Sequence, residues 1–102
     1  MATFTVHTAK SYTLTISQVD TITFDTPGDR LIVSARGAAT DFVAFTYAGP
    51  GGVPATPTAL GNDCFVVTGG RDLVIPIDGS AMIGVVSLIS AQAAPVSVMT
   101  TG

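Results

Sequence analysis

The segment Ser11-Tyr12-Thr13-Leu14-Thr15-Ile16-Ser17 sets Tyr12, Leu14 and Ile16 on one side and the hydroxyls of Ser11, Thr13, Thr15 and Ser17 on the other. This period-two alternation marks a strand with one face on a core and the other in water. The pattern extends both ways along the chain. Phe4 and Val6 alternate with Thr3, Thr5 and His7, and Ile22 and Phe24 alternate with Thr21 and Thr23. Leu31, Val33 and Ala35 are opposed by Ile32 and Ser34 and flanked by Arg30 and Arg36. Each run is short and rich in β-branched and aromatic residues, which fit a pleated, half-buried surface.

Between the runs lie turn residues. Pro27-Gly28 suits the central positions of a type II turn, and Asp78-Gly79 suits a tight hairpin between residues 75–77 and 82–89. Gly61-Asn62-Asp63 and Gly69-Gly70 bracket a strand around residues 64–67. Residues 48–60 hold Gly49, Pro50, Gly51, Gly52, Pro54 and Pro57, too many ladder-breaking residues for a strand, and are expected to project as a loop. The expectation is an all-β chain forming one sandwich domain over residues 1–102, with about eight or nine short antiparallel strands. Ig-like and jelly-roll-like strand orders both stay open, because alternation does not report which strands pair.

Composition points the same way. Of 102 residues, 47% are hydrophobic and 11% charged, against roughly a quarter charged in an average domain. All seven acidic residues are Asp, and Lys10 is the one lysine, so the residues of solvated helix faces are nearly absent. A net charge of -3 with four scattered cations, Lys10, Arg30, Arg36 and Arg71, argues against nucleic-acid binding. Residues 81–98 are apolar but broken by Gly84, Ser87, Ser90, Gln92 and Pro95, so no membrane span is expected. Residues 1–6 carry neither a basic nor a continuous apolar stretch, so no signal peptide is expected either.

Catalytic and metal chemistry find little to work with. His7 is the single histidine and Cys64 the single cysteine, too few for a zinc site or an internal disulfide. Cys64 sits in an apolar run and reads as a small hydrophobe, and a His7–Cys64 dyad would need the fold to join them. Asp20, Asp25 and Asp29 gather around Pro27-Gly28 without a calcium-loop spacing and read as turn formers. No cofactor is expected, and the chain is read as non-enzymatic.

The alternation weakens in the second half. Residues 42–47, 64–67, 73–77 and 85–89 carry bulky apolar groups on both faces, whereas a two-layer sandwich gives each strand one core face. Either the long loop covers the second face, or another subunit does. The scarcity of charge favours the subunit. The candidate interface is then Phe42, Val43, Phe45, Tyr47, Val53, Pro54, Val86 and Leu88.

The strand series resembles head decoration proteins and small minor structural or tail proteins of tailed bacteriophages infecting actinobacteria. The likeness runs through Val19-Asp20-Thr21-Ile22-Thr23-Phe24, Arg30-Leu31-Ile32-Val33-Ser34, residues 42–47 and the loop with Pro54. It continues through Asp63-Cys64-Phe65-Val66-Val67, Leu73-Val74-Ile75-Pro76, Val85-Val86-Ser87-Leu88-Ile89-Ser90 and Pro95-Val96-Ser97-Val98. It is a style of strands and not a fixed motif. The resemblance implies a capsid decoration (cement) protein, homo-oligomeric, bound to the major capsid protein or other virion subunits and assembled in the host cytoplasm. A minor tail component, or a small carbohydrate- or ligand-binding β-module, is the alternative. The chain lacks the long N-terminal arm of many decoration proteins.

Overall fold

The computed structural model describes residues 3–38, 40–58, 64–76 and 82–101, with the backbone alone at residues 26 and 27. The chain is all-β. Among the described residues there are nine strands and no helix: β1 (Thr3–Val6), β2 (Ala9–Thr13), β3 (Asp20–Gly28), β4 (Arg30–Ala35), β5 (Phe42–Ala48), β6 (Phe65–Thr68), β7 (Arg71–Pro76), β8 (Ile83–Ile89) and β9 (Pro95–Thr101). They form a five-stranded sheet, β1-β3-β8-β5-β6, packed on a four-stranded sheet, β2-β9-β4-β7.

The pairing has one simple rule. β2 pairs with β9, β3 with β8, β4 with β7 and β5 with β6, all antiparallel. The chain is thus one long hairpin whose paired arms are rolled so that successive pairs fall in opposite sheets. This is the wound strand order of a jelly roll, which settles the choice left open by alternation. One strand departs from the antiparallel expectation. β1 lies parallel to β3, Thr3 opposite Thr21 through Val6 opposite Phe24.

Alternation placed the core residues correctly over much of the chain. Ile22 and Phe24 of β3 and Leu31, Val33 and Ala35 of β4 point between the sheets and are buried; Val96 and Val98 of β9, which the alternation did not single out, are buried with them. Phe4 and Val6 pack on the edge of that core. Burying each such aliphatic or aromatic side chain stabilises the fold by about 1.5–3 kcal/mol.

Several turn assignments are corrected. The Ser11–Ser17 alternation ends early: β2 stops at Thr13, Leu14 is buried, and Ile16 is exposed in a turn where Ser17 has φ 57°. The Ser17 amide donates to the Ser90 carbonyl at 2.8 Å, which holds that turn to the end of β8. Pro27-Gly28 makes no type II turn, because Gly28 continues β3 opposite Ile83 after a register shift and its φ is not positive. Glycine is needed there for another reason: a Cβ would lie 2.5 Å from the Thr101 carbonyl oxygen. The Gly69-Gly70 turn is present, with Gly70 at φ 81°, but it carries the chain between sheets. Gly61, Asn62, Asp63, Asp78 and Gly79 lie outside the described residues; the flanking β7 and β8 are in different sheets and form no hairpin.

Candidate functional site

The two outer faces of the sandwich are where this chain can meet something else. On the five-stranded sheet, strand register lines up hydroxyls across the face. Thr3, Thr21, Ser87 and Thr46 form one rung, and Thr5, Thr23, Val85 and Ala48 the next. The Thr21 and Ser87 hydroxyls are 3.3 Å apart and share a hydrogen bond.

The loop after β5 folds back over this face and does not project from the sandwich. The Thr46 hydroxyl donates to the Ala55 carbonyl, Pro57 is buried, and Gly84 lies against the Pro50 backbone, 2.6 Å from where a Cβ would sit. Only Gly at position 84 lets the loop approach so closely. Leu60, at the end of the loop read from sequence, lies outside the described residues. Between loop and sheet runs a groove of about 430 Å³, floored by Val19, Thr21, Thr23, Val85 and Ser87 and walled by Gly51, Gly52, Val53, Pro54 and Thr56. No charged residue lines it, so it suits an uncharged ligand.

The candidate contacts divide sharply. Val43, Phe45, Val86 and Leu88 are fully buried between the sheets and present no surface. Their strands read as apolar on both faces because one face is core and the loop closes over part of the other. Phe42 and Tyr47 are half-buried, the latter stacked on Phe65 with ring centroids 5.7 Å apart. Val53 and Pro54 lie on the loop, Val53 with 92% of its surface exposed. Of the eight, these loop residues alone border the groove.

Of the three aspartates read as turn formers, Asp29 stands in one, the bend between β3 and β4, and the other two lie in β3. Asp20 opens β3, is buried, and accepts a 3.0 Å hydrogen bond from the Tyr12 hydroxyl. Asp25 lies 3.5 Å from His7 Nδ1 at an exposed edge. Among the described residues no three His, Cys, Asp or Glu side chains sit together as a metal site would require. His7 follows β1 and Cys64 precedes β6, at opposite edges of the five-stranded sheet and roughly 19 Å apart at 4.8 Å per strand. They form no dyad.

Tyr12 sits in a cluster that ties the N-terminal strands together. Its ring packs edge-on against Phe4 at 5.0 Å between centroids, and the Lys10 ammonium lies 4.6 Å over the Phe4 ring. Burial, then the negative charge of Asp20 and the hydrogen bond to it, push the Tyr12 phenol well above its ordinary range. The folded chain therefore holds this proton at pH values where the unfolded chain, ionising near ~10, releases it. Stability contributed by Tyr12 is present below that pH and falls as pH rises past it. In urea melts, Tyr12→Phe is expected to lose less stability between pH 9 and 11 than the parent. An equal loss in both proteins would show that the phenol does not drive the alkaline transition.

What the site can do follows from its surfaces: hydroxyl-bearing sheet faces on a closed jelly roll, one of them grooved by a loop. This defines a β-sandwich whose grooved outer face is lined by uncharged residues. No protein-family model, curated protein or solved structure matches the chain.

Proposed function

We propose that this chain is a non-enzymatic structural subunit of a tailed-bacteriophage virion, a decoration protein that seats on the capsid shell and assembles in the host cytoplasm. The carrying observation is the outer face of the four-stranded sheet. There Val74 and Met99 are 48% and 39% exposed on a flat, hydroxyl-rich surface with few charges. Exposed apolar side chains grouped on one face suit contact with another protein, and a surface rich in Ser and Thr keeps the free subunit soluble without charge. Each contact can be weak, because a shell offers many copies and avidity multiplies them. The jelly roll suits this role by closing its core within one small domain, though the fold alone does not carry the function.

The test is a sedimentation gradient of native lysate, with this chain followed by antibody. Migration with megadalton particles supports the decoration reading, and Val74→Asp should move the chain to the top of the gradient while leaving it folded. Free monomer in the parent lysate overturns it.

The groove under residues 49–58 favours a second reading, a small β-module that binds an uncharged ligand such as a saccharide. Aromatic platforms usual in sugar sites are missing from its lining. A glycan array with hits abolished by Thr23→Val would favour this reading over the first.

A further inference from the structure

We infer that β6 is a self-association edge, along which a second copy of this chain adds its own β6 antiparallel about a two-fold axis at Val66. The inference goes beyond the proposed shell contact, which uses the outer face of the other sheet.

A sheet edge presents a row of unpaired backbone N–H and C=O groups, and natural proteins guard it with charge or proline. Three of the four edges among the described residues are guarded in this way. β7 carries Arg71, Asp72 and Pro76, and β2 carries Lys10. At β1 the Lys10 ammonium lies over the Phe4 ring, and His7 and Asp25 pair at 3.5 Å where the strand ends. β6, Phe65-Val66-Val67-Thr68, holds neither a charge nor a proline. It ends the five-stranded sheet, with β5 on one side and no described strand on the other. It also bares apolar surface on both its faces, Phe65 being 43% and Val66 42% exposed.

Such an edge is complementary to itself. Residues directly opposite in an antiparallel pair share a face, so a two-fold axis through the sheet centres on one residue. Centred on Val66, it sets Val66 against Val66 of the second copy, and Phe65 against Val67. Val66 lies on the outer face opposite Ala44, while Val67 is buried in the core opposite Val43. Both exposed side chains are then covered, and the outward backbone groups of the two edges pair with each other. Two five-stranded sheets run into one. The charges fit this register. Arg36, Asp41, Arg71 and Asp72 gather about the Gly69-Gly70 turn, where Gly69 donates to the Asp41 carbonyl and Gly70 to that of Ala35. That turn lies three residues from Val66, roughly 10 Å along the strand. Antiparallel pairing sends the two turns in opposite directions from the axis, so none of these charges meets its own copy.

The size of the contact sets its strength. About five residues of each copy meet, against roughly 20–30 a side in a standard interface. The dimer is therefore weak and reversible in dilute solution.

Sedimentation velocity of the purified chain in reducing buffer, over a rising concentration series, tests this. The parent is expected to pass from monomer to dimer and no further. Val66→Asp alone and Val66→Lys alone each set like charges together at the axis, and each should weaken the dimer by about tenfold or more. An equimolar mixture of the two variants should restore it, because opposite charges then meet. Val66 is exposed on an edge strand, so circular dichroism of both variants should stay native. Hydrogen exchange on the parent needs no variant: the outward amides of Phe65–Thr68 should exchange more slowly in concentrated than in dilute solution. A parent that remains monomeric overturns the inference. So does a dimer indifferent to both charges, a mixture no tighter than either variant, or unchanged exchange at β6. Growth beyond the dimer overturns it too, since a two-fold contact closes on itself. Dimerisation without particle association would retain this inference and sink the virion reading; particle association by a strict monomer would do the reverse.

Discussion

Replacing Val86 with Asp is expected to abolish the folded state. Val86 lies at the centre of β8, opposite Ile22 of β3 and Tyr47 of β5, with none of its surface exposed. A carboxylate there would lose its hydration without gaining a cation, which costs several kcal/mol even after the protein relaxes. A domain of this size has only about 5–15 kcal/mol of total stability. Circular dichroism should show loss of sheet signal at 25 °C, and the protein should become protease-sensitive. Val74→Asp is the matched control, since Val74 points outward from β7 and is 48% exposed. A native spectrum for Val86→Asp would mean that β8 turns this face outward, contrary to the packing described above.

Phe45→Ala carries the next largest effect. Phe45 is the largest fully buried side chain, placed on β5 opposite Leu88 and stacked on Phe65 at 5.6 Å between centroids. Truncation leaves a void that neighbouring strands, tied into both sheets, can close only in part. The expected loss is about 3–5 kcal/mol. For a chain of this length that lowers the melting midpoint by about 12 °C or more. The variant should still fold at low temperature, which separates a cavity from the buried charge of Val86→Asp. Calorimetry decides it, and a shift of only a degree or two would mean that Phe45 is not a core residue.

Both residues belong to the set that sequence alone assigned to a subunit interface, and the reason for the error is instructive. Val43, Phe45, Val86 and Leu88 lie in strands with apolar groups on both faces, and alternation does not say which face turns inward. The excess apolar character of those strands was real. Its cause is mostly the chain's own loop, whose Pro57 is buried and whose Ala55 carbonyl is held by Thr46. A run of Gly and Pro reads as a projecting loop because it cannot join a ladder, but that property says nothing about where the run comes to rest.

The outer-face rungs went unread for a related reason. Thr3-Phe4-Thr5 and Thr21-Ile22-Thr23 are visible in the sequence as threonines on one side of a strand. That they stand side by side depends on β1 pairing parallel to β3 across the loop that contains β2. Likewise Val74, Ile32, Met99 and Ala9 come from four separate strands, and no local pattern links them.

By itself, the sequence determined that the chain is all-β, which face of β1, β3 and β4 is apolar, and that charge is scarce. These depend on side-chain chemistry at spacings of one or two residues, which the backbone pleat converts directly into inside and outside. The tertiary structure alone decided the rolled pairing of β2 with β9 and β3 with β8, the fold-back of residues 49–58, and the joining of Val74, Ile32 and Met99 on one face. Those depend on contacts between residues far apart in the chain, where register is set by how all the apolar faces can be buried at once.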